Sequence, residues 1–147
     1  MADELLQEFI NESREHLATI ESDLLTIEDG GADVDEQLVN KVFRAAHSIK
    51  GGSAFFGLNQ VKELAHKAET VLDMLRAGKM TPSAELTNVL LAAFDKLREM
   101  INHPETQAQA DIADLLVSLS GLASSYLPSE QKASHTQQVT LRTPTAP

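Results

Sequence analysis

The sequence predicts an all-α fold: an up-and-down antiparallel four-helix bundle with an additional C-terminal fifth helix. Apolar residues recur at three- and four-residue steps along most of the chain. No segment shows strand-like alternation bounded by hairpin turns. The breaks between periodic segments are short and rich in Gly, Pro, Asn and Asp, which makes successive helices antiparallel neighbours.

Each element follows from its own pattern. Leu6, Ile10, Leu17, Ile20, Leu24 and Ile27, with Ser13 filling the one gap, predict a single long amphipathic helix from Asp3 to Glu28, stopped by "DGGAD". Asp33 and Glu36 have capping-box spacing, and Leu38, Val42, Ala45, Ile49 and Phe56 form the core stripe of a second helix. Asn59 is the expected cap of a third, which Val61, Leu64, Ala68, Val71, Leu72 and Leu75 carry to "RAGKM". Thr81 as cap and Pro82 at the first helical position open a fourth helix with Leu86, Leu90, Phe94, Leu97 and Ile101 on its core side. After "NHPET", Ile112, Leu115, Leu116, Leu119 and Leu122 give a fifth, ending near Ser125.

A chain of 147 residues is long enough for one domain with a real core. The domain is expected over residues 1–127, and the polar, aperiodic stretch 128–147, dotted with Pro, Ser and Thr, reads as a flexible linker to something downstream. The absence of cysteine removes disulfides and thiolate metal sites and points to a reducing compartment, hence a cytoplasmic location. The N-terminus lacks the layout of a signal peptide, and no apolar run reaches membrane-spanning length. Asp and Glu outnumber Lys and Arg by 22 to 12, a net charge of -10, which argues against nucleic acid and anionic membranes as partners.

One stretch breaks the local rules. "FRAAHSIKGGSAFFGL", Phe43 to Leu58, reads as helix yet holds two consecutive glycines, each costing about 1 kcal/mol relative to Ala. With Ile49 at the centre of the core stripe and about 100° per residue, His47 falls at about 160°, with Phe43, Lys50 and Gly51 on the same side. The third helix repeats the arrangement nineteen residues on, where His66 and Glu69 take the places of His47 and Lys50. Antiparallel packing can bring the two flanks together over one groove, gathering His47, Lys50, His66 and Glu69 into a partly exposed site. A surface histidine with a lysine three residues on is by itself an ordinary solvated face. Gly51 changes that balance, because it points outward beside His47, where only an approaching partner needs the room. Gly52, nearer the core stripe, is also explicable by close helix packing. Phe43, Arg44, Gly51 and Gly52 are the candidate partner-docking residues.

"AHSIKGG", at Ala46 to Gly52, resembles the phosphoacceptor motif of histidine phosphotransfer (HPt) domains, specifically the N-terminal domain of CheA-type chemotaxis histidine kinases, and "ELAHKAE" at the matching distance strengthens the resemblance. The similarity spans residues 3 to 126. It implies five helices, phosphorylation at His47, a hydrogen bond from Glu69 to that histidine, and a network completed by Lys50 and His66. It also implies that the parent protein is a CheA-type sensor kinase. The phosphoryl donor would be a kinase catalytic domain, in the same polypeptide or another chain, and the acceptor an aspartate of a CheY-like receiver.

The residues suit that reaction. A carboxylate holding Nδ1–H fixes the tautomer and leaves Nε2 to attack, while Lys50 supplies positive charge near the phosphoryl oxygens. No Gly-rich nucleotide loop or metal cradle is present, so the expectation is no cofactor on this domain, with ATP and Mg2+ on the partner kinase and Mg2+ on the receiver. The isolated domain is expected to be a monomeric relay module and not an enzyme on its own. Two other classes stand beside this reading. A di-iron bundle needs Glu-x-x-His on two helices, and only Glu63 to His66 has that spacing. A pure docking bundle would leave Gly51 and Glu69 without a purpose.

Overall fold

The computed structural model describes residues 2–125. The linker expected at 128–147 lies outside the described residues. Among the described residues six α-helices follow in order: α1 (Ala2–Leu17), α2 (Ile20–Gly30), α3 (Glu36–Phe55), α4 (Asn59–Arg76), α5 (Ala84–Asn102) and α6 (Ala113–Ser125), with a 3₁₀ turn, Pro104–Gln109, before the last.

α1 and α2 act as one broken rod, since both pack on α3 and on α5. α3 then packs on α4 and α4 on α5, which closes a ring of four rods with α6 laid against α4 and α5. Register confirms the antiparallel sense. Phe9 near the start of the first rod meets Phe56 at the far end of α3, whereas Asp23 near its end pairs with Lys41 near the start of α3. The four-helix bundle with an added C-terminal helix is therefore the observed architecture, and the sixth helix arises only because the first rod is split.

The split at Ala18 and Thr19 corrects the single helix expected from Asp3 to Glu28. The apolar stripe runs through the break without losing phase: Ser13, Leu17, Ile20, Leu24 and Ile27 are all buried. What holds the break is remote in sequence. Arg98 of α5 donates to the carbonyl oxygen of Leu17 at 2.9 Å, satisfying a group that an unbroken helix would have bonded internally.

Three helix starts also differ from expectation. Asp35, not Asp33, caps α3, its side chain accepting from Leu38 N–H at 3.2 Å. Ser83, not Thr81 with Pro82, caps α5 by accepting from Leu86 N–H at 3.1 Å. Asn59 is already inside α4, whose N-cap is Leu58 with no side-chain bond of its own. The orphan N–H groups of Gln60 and Val61 are instead met by Oε1 of buried Gln107 from the 3₁₀ turn, at 3.0 and 3.3 Å. The stops match the reading. Gly57 and Gly78, at φ of 71° and 77°, close α3 and α4 with paired bonds, Leu58 N–H to Ser53 O and Lys79 N–H to Met74 O.

The core stripes are those expected, except that Leu6 in α1, Leu38 and Phe56 at the two ends of α3, and Leu115 and Leu116 in α6 are only half-buried. Phe94, Leu97, Leu64, Leu72, Ile49 and Leu119 are among the large side chains fully enclosed. Among the described residues no helix is long and apolar enough to cross a membrane.

Candidate functional site

α3 and α4 make the most extensive contact in the bundle, and the site lies on the outer edge of their groove. Ala46 and Ile49 bury the inner side of α3, which turns His47 outward with its side chain 63% exposed. Its Nδ1 hydrogen-bonds Oε2 of Glu69 across the groove. Lys50, one turn on, donates from Nζ to Glu69 Oε1 at 2.7 Å. Each carboxylate oxygen thus has its own donor. An ionised carboxylate only accepts, so the shared proton belongs to Nδ1, and in the neutral form of the ring Nε2 carries the lone pair, with no protein partner among the described residues.

Glu69 is itself buried, 8% exposed, and this corrects the outward position that the helical wheel gives it. Tight α3–α4 packing and the His47 and Lys50 side chains close over its carboxylate. Burial pushes its carboxyl pKa up, but the hydrogen bonds and charges of Lys50 and His47 outweigh that, and the group sits below its ordinary value. It stays ionised where a lone buried acid would not.

The structure joins three of the four candidates, His47, Lys50 and Glu69, by direct hydrogen bonds. His66 is exposed, and its side chain makes no hydrogen bond or ion pair with His47, Lys50 or Glu69. By helical phase it lies about 60° round α4 from Glu69. Glu63 is exposed as well, and the described residues contain no cluster of three or more His, Asp or Glu placed to hold a metal ion.

The two glycines separate. A Cβ on Gly51 would meet nothing within 4 Å, so the bundle itself places no demand on that position. A Cβ on Gly52 would run into the Phe9 ring, so close approach of α1 to α3 is a sufficient reason for that glycine, and its assignment to docking loses its basis. Arg44 is exposed on the His47 face. Phe43 is half-buried and stacked beside the imidazole, ring centroids 6.1 Å apart and planes 10° from parallel.

Sequence reasoning missed Arg76. Its guanidinium carbon lies 3.9 Å from the centroid of the Phe43 ring, and its nitrogens reach Asp73 Oδ1 at 2.6 Å and Asn40 Oδ1 at 3.4 Å. The Asp73 and Arg76 pair at i, i+3 on a helix end was visible, but nothing in the chain says that Phe43 lies beneath it.

Known proteins share part of the sequence and the fold. The chain is 39% identical over 128 residues to the chemotaxis protein CheA of Rhizobium meliloti, covering 85% of this chain and 17% of that protein. It is 42% identical over 96 residues to CheA of Bacillus subtilis, covering 65% and 14%. The chain thus spans about a sixth of the length of these relatives. Among solved structures, the phosphorylated P1 domain of CheA3 in complex with CheY6 from R. sphaeroides superposes with a TM-score of 0.73 at 27% identity, covering 85% of this chain and 99% of that one. The solution structure of the histidine phosphotransfer domain of CheA gives 0.69 at 25% identity, covering 82% and 92%. The Hpt domain model matches residues 4–102, which include every residue of the His47 site, and the chain belongs to the Hpt domain family.

Proposed function

We propose that this chain is the phosphoacceptor domain of a CheA-type chemotaxis kinase. His47 takes a phosphoryl group from an ATP-bound kinase catalytic domain and passes it to an aspartate of a CheY-like receiver. The observation that carries the reading is the asymmetric imidazole: Nδ1 is tied to buried Glu69 while Nε2 is free on an exposed ring.

In the first step Nε2 attacks the γ-phosphorus, the Nε2–P bond forms, and the bond to the bridging oxygen breaks to release ADP. Positive charge develops on the imidazole, and the Glu69 carboxylate at Nδ1–H stabilises it without moving. Lys50 neutralises part of the Glu69 charge that would otherwise repel the incoming phosphate. In the second step the receiver carboxylate displaces Nε2, and the histidine returns to its neutral Nδ1–H form. Transfer of this kind is largely positioning. ATP and Mg2+ belong to the kinase partner, acting in cis or in trans, and Mg2+ to the receiver. A cytoplasmic setting fits a cysteine-free chain.

Incubation with ATP and a CheA kinase domain tests the reading. Acid-labile, base-stable phosphate is expected on the wild-type chain and not on His47→Gln. Equal labelling of the two would remove His47 from the mechanism, and no labelling of either would remove the relay.

A further inference from the structure

Arg76, Phe43 and His47 form a short stack along the α3–α4 groove, and the relay reading above does not account for it. The hydrogen bond to Glu69 fixes where Nδ1 points. It does not fix the tilt of the imidazole about that bond. Tilt matters, because the Nε2 lone pair lies in the ring plane and an in-line transfer needs that plane aimed at phosphorus.

The near-parallel Phe43 ring is the neighbour that can hold the tilt. At 6.1 Å between centroids and 10° between planes, it lies in the offset-stacked range for aromatic pairs. A half-buried phenyl ring at i−4 on a helix surface would swing unless something held it. Arg76 does so, with its guanidinium over the ring at 3.9 Å, where the cation meets the negative π face. The guanidinium is fixed in turn by Asp73 on its own helix and Asn40 on α3. The clamp thus joins the two helices that carry His47 and Glu69, and the antiparallel register sets Asn40 opposite Arg76 just as it sets His47 opposite Glu69.

We propose that Phe43, held by Arg76, is a positioning residue that sets the plane of the His47 imidazole and so the direction of its Nε2 lone pair. The inference rests on His47 being the acceptor. It reassigns Phe43 from docking a partner to aiming the nucleophile within the free domain.

The first readout is the imidazole itself and needs no partner; the second is phosphoryl acceptance from a CheA kinase domain. In Phe43→Leu, which keeps apolar volume but loses the flat face, 13C relaxation at His47 Cε1 of the 147-residue chain should report a more mobile ring, and phosphoryl acceptance should fall about tenfold, short of the ~10²-fold of an ångström-scale misplacement. Arg76→Gln, at a partly exposed position, should move both readouts in the same direction by less, with Arg76→Lys between it and wild type. An unchanged ring in both Phe43→Leu and Arg76→Gln would overturn the proposal, and slowed transfer with that unchanged ring would make Phe43 a partner contact. A mobile ring in Phe43→Leu together with a wild-type chain that accepts no phosphate would uphold the clamp and sink the relay reading instead.

Discussion

Adjacent glycines on α3 answer to different demands, and substitution separates them. Gly51→Ala should stabilise the chain by about 0.5 to 1 kcal/mol, since the added methyl meets open space and Ala is the better helix former. Gly52→Ala should destabilise it by about 1 to 3 kcal/mol, because the Phe9 ring, packed on Phe56, has to move. Urea titration of the pair checks the opposite signs, and a destabilising Gly51→Ala would mean that the bundle itself uses that glycine. Glu69 makes a second residue-scale prediction. It is buried and holds two donors, so Glu69→Gln should cost stability, on the order of 1 kcal/mol, as well as slow phosphoryl acceptance. Because its folded pKa lies below the ordinary 4.5, the charge contributes stability fully above that value and loses it as pH falls through the lower folded value. The gap in melting temperature between wild type and Glu69→Gln should be full at pH 6 to 7 and shrink below pH 4.5. A gap that is constant down to pH 3 would show that ionisation is not what Glu69 contributes.

At the scale of elements, caps decide where helices begin, and hydrophobic phase does not. Asp35→Ala and Ser83→Ala should each lower stability by about 1 kcal/mol, while Asp33→Ala and Thr81→Ala should leave it within a few tenths. Both pairs are spaced plausibly in the sequence, and only the backbone angles of the preceding loop determine which oxygen faces the free N–H. Denaturant midpoints for the four variants check this directly. The start of α4 was not legible from its own segment, because its capping acceptor, Gln107, is supplied from beyond α5. The α1–α2 break was hidden for the same reason, its free carbonyl being met by Arg98, and a periodicity that stays in phase gives no sign of a two-residue interruption.

For the whole molecule, α6 packs on α4 and α5 and makes no contact with α3, so it supports the bundle from a side remote from His47. Leu119→Ala, at a fully enclosed position, should therefore cost about 2 to 5 kcal/mol while leaving the labelling rate of His47 unchanged where the domain remains folded. Val117→Ala, on the exposed side of the same helix, should change neither. Melting temperature and initial labelling rate on the two variants test the separation. A slowed rate in folded Leu119→Ala would mean that α6 strain reaches the α3–α4 groove through α4.

The sequence alone determined the helix content, the order of the rods and the core side of each, because a period of three to four residues is a local property that survives wherever the chain is placed. It also determined that His47 faces solvent, since that follows from the same phase. It did not determine that Glu69 is buried, that Glu69 bonds both His47 and Lys50, or that Gly52 lies against Phe9, because each depends on how closely two helices approach and at what rotation. The Arg76 clamp belongs to the same class: Asn40 and Phe43 are one turn apart on α3, but Arg76 is distant in sequence and meets them only through the antiparallel register of α3 and α4. Local periodicity chooses a face, but the interhelical distance and register, set by every side chain in the groove at once, choose the partner.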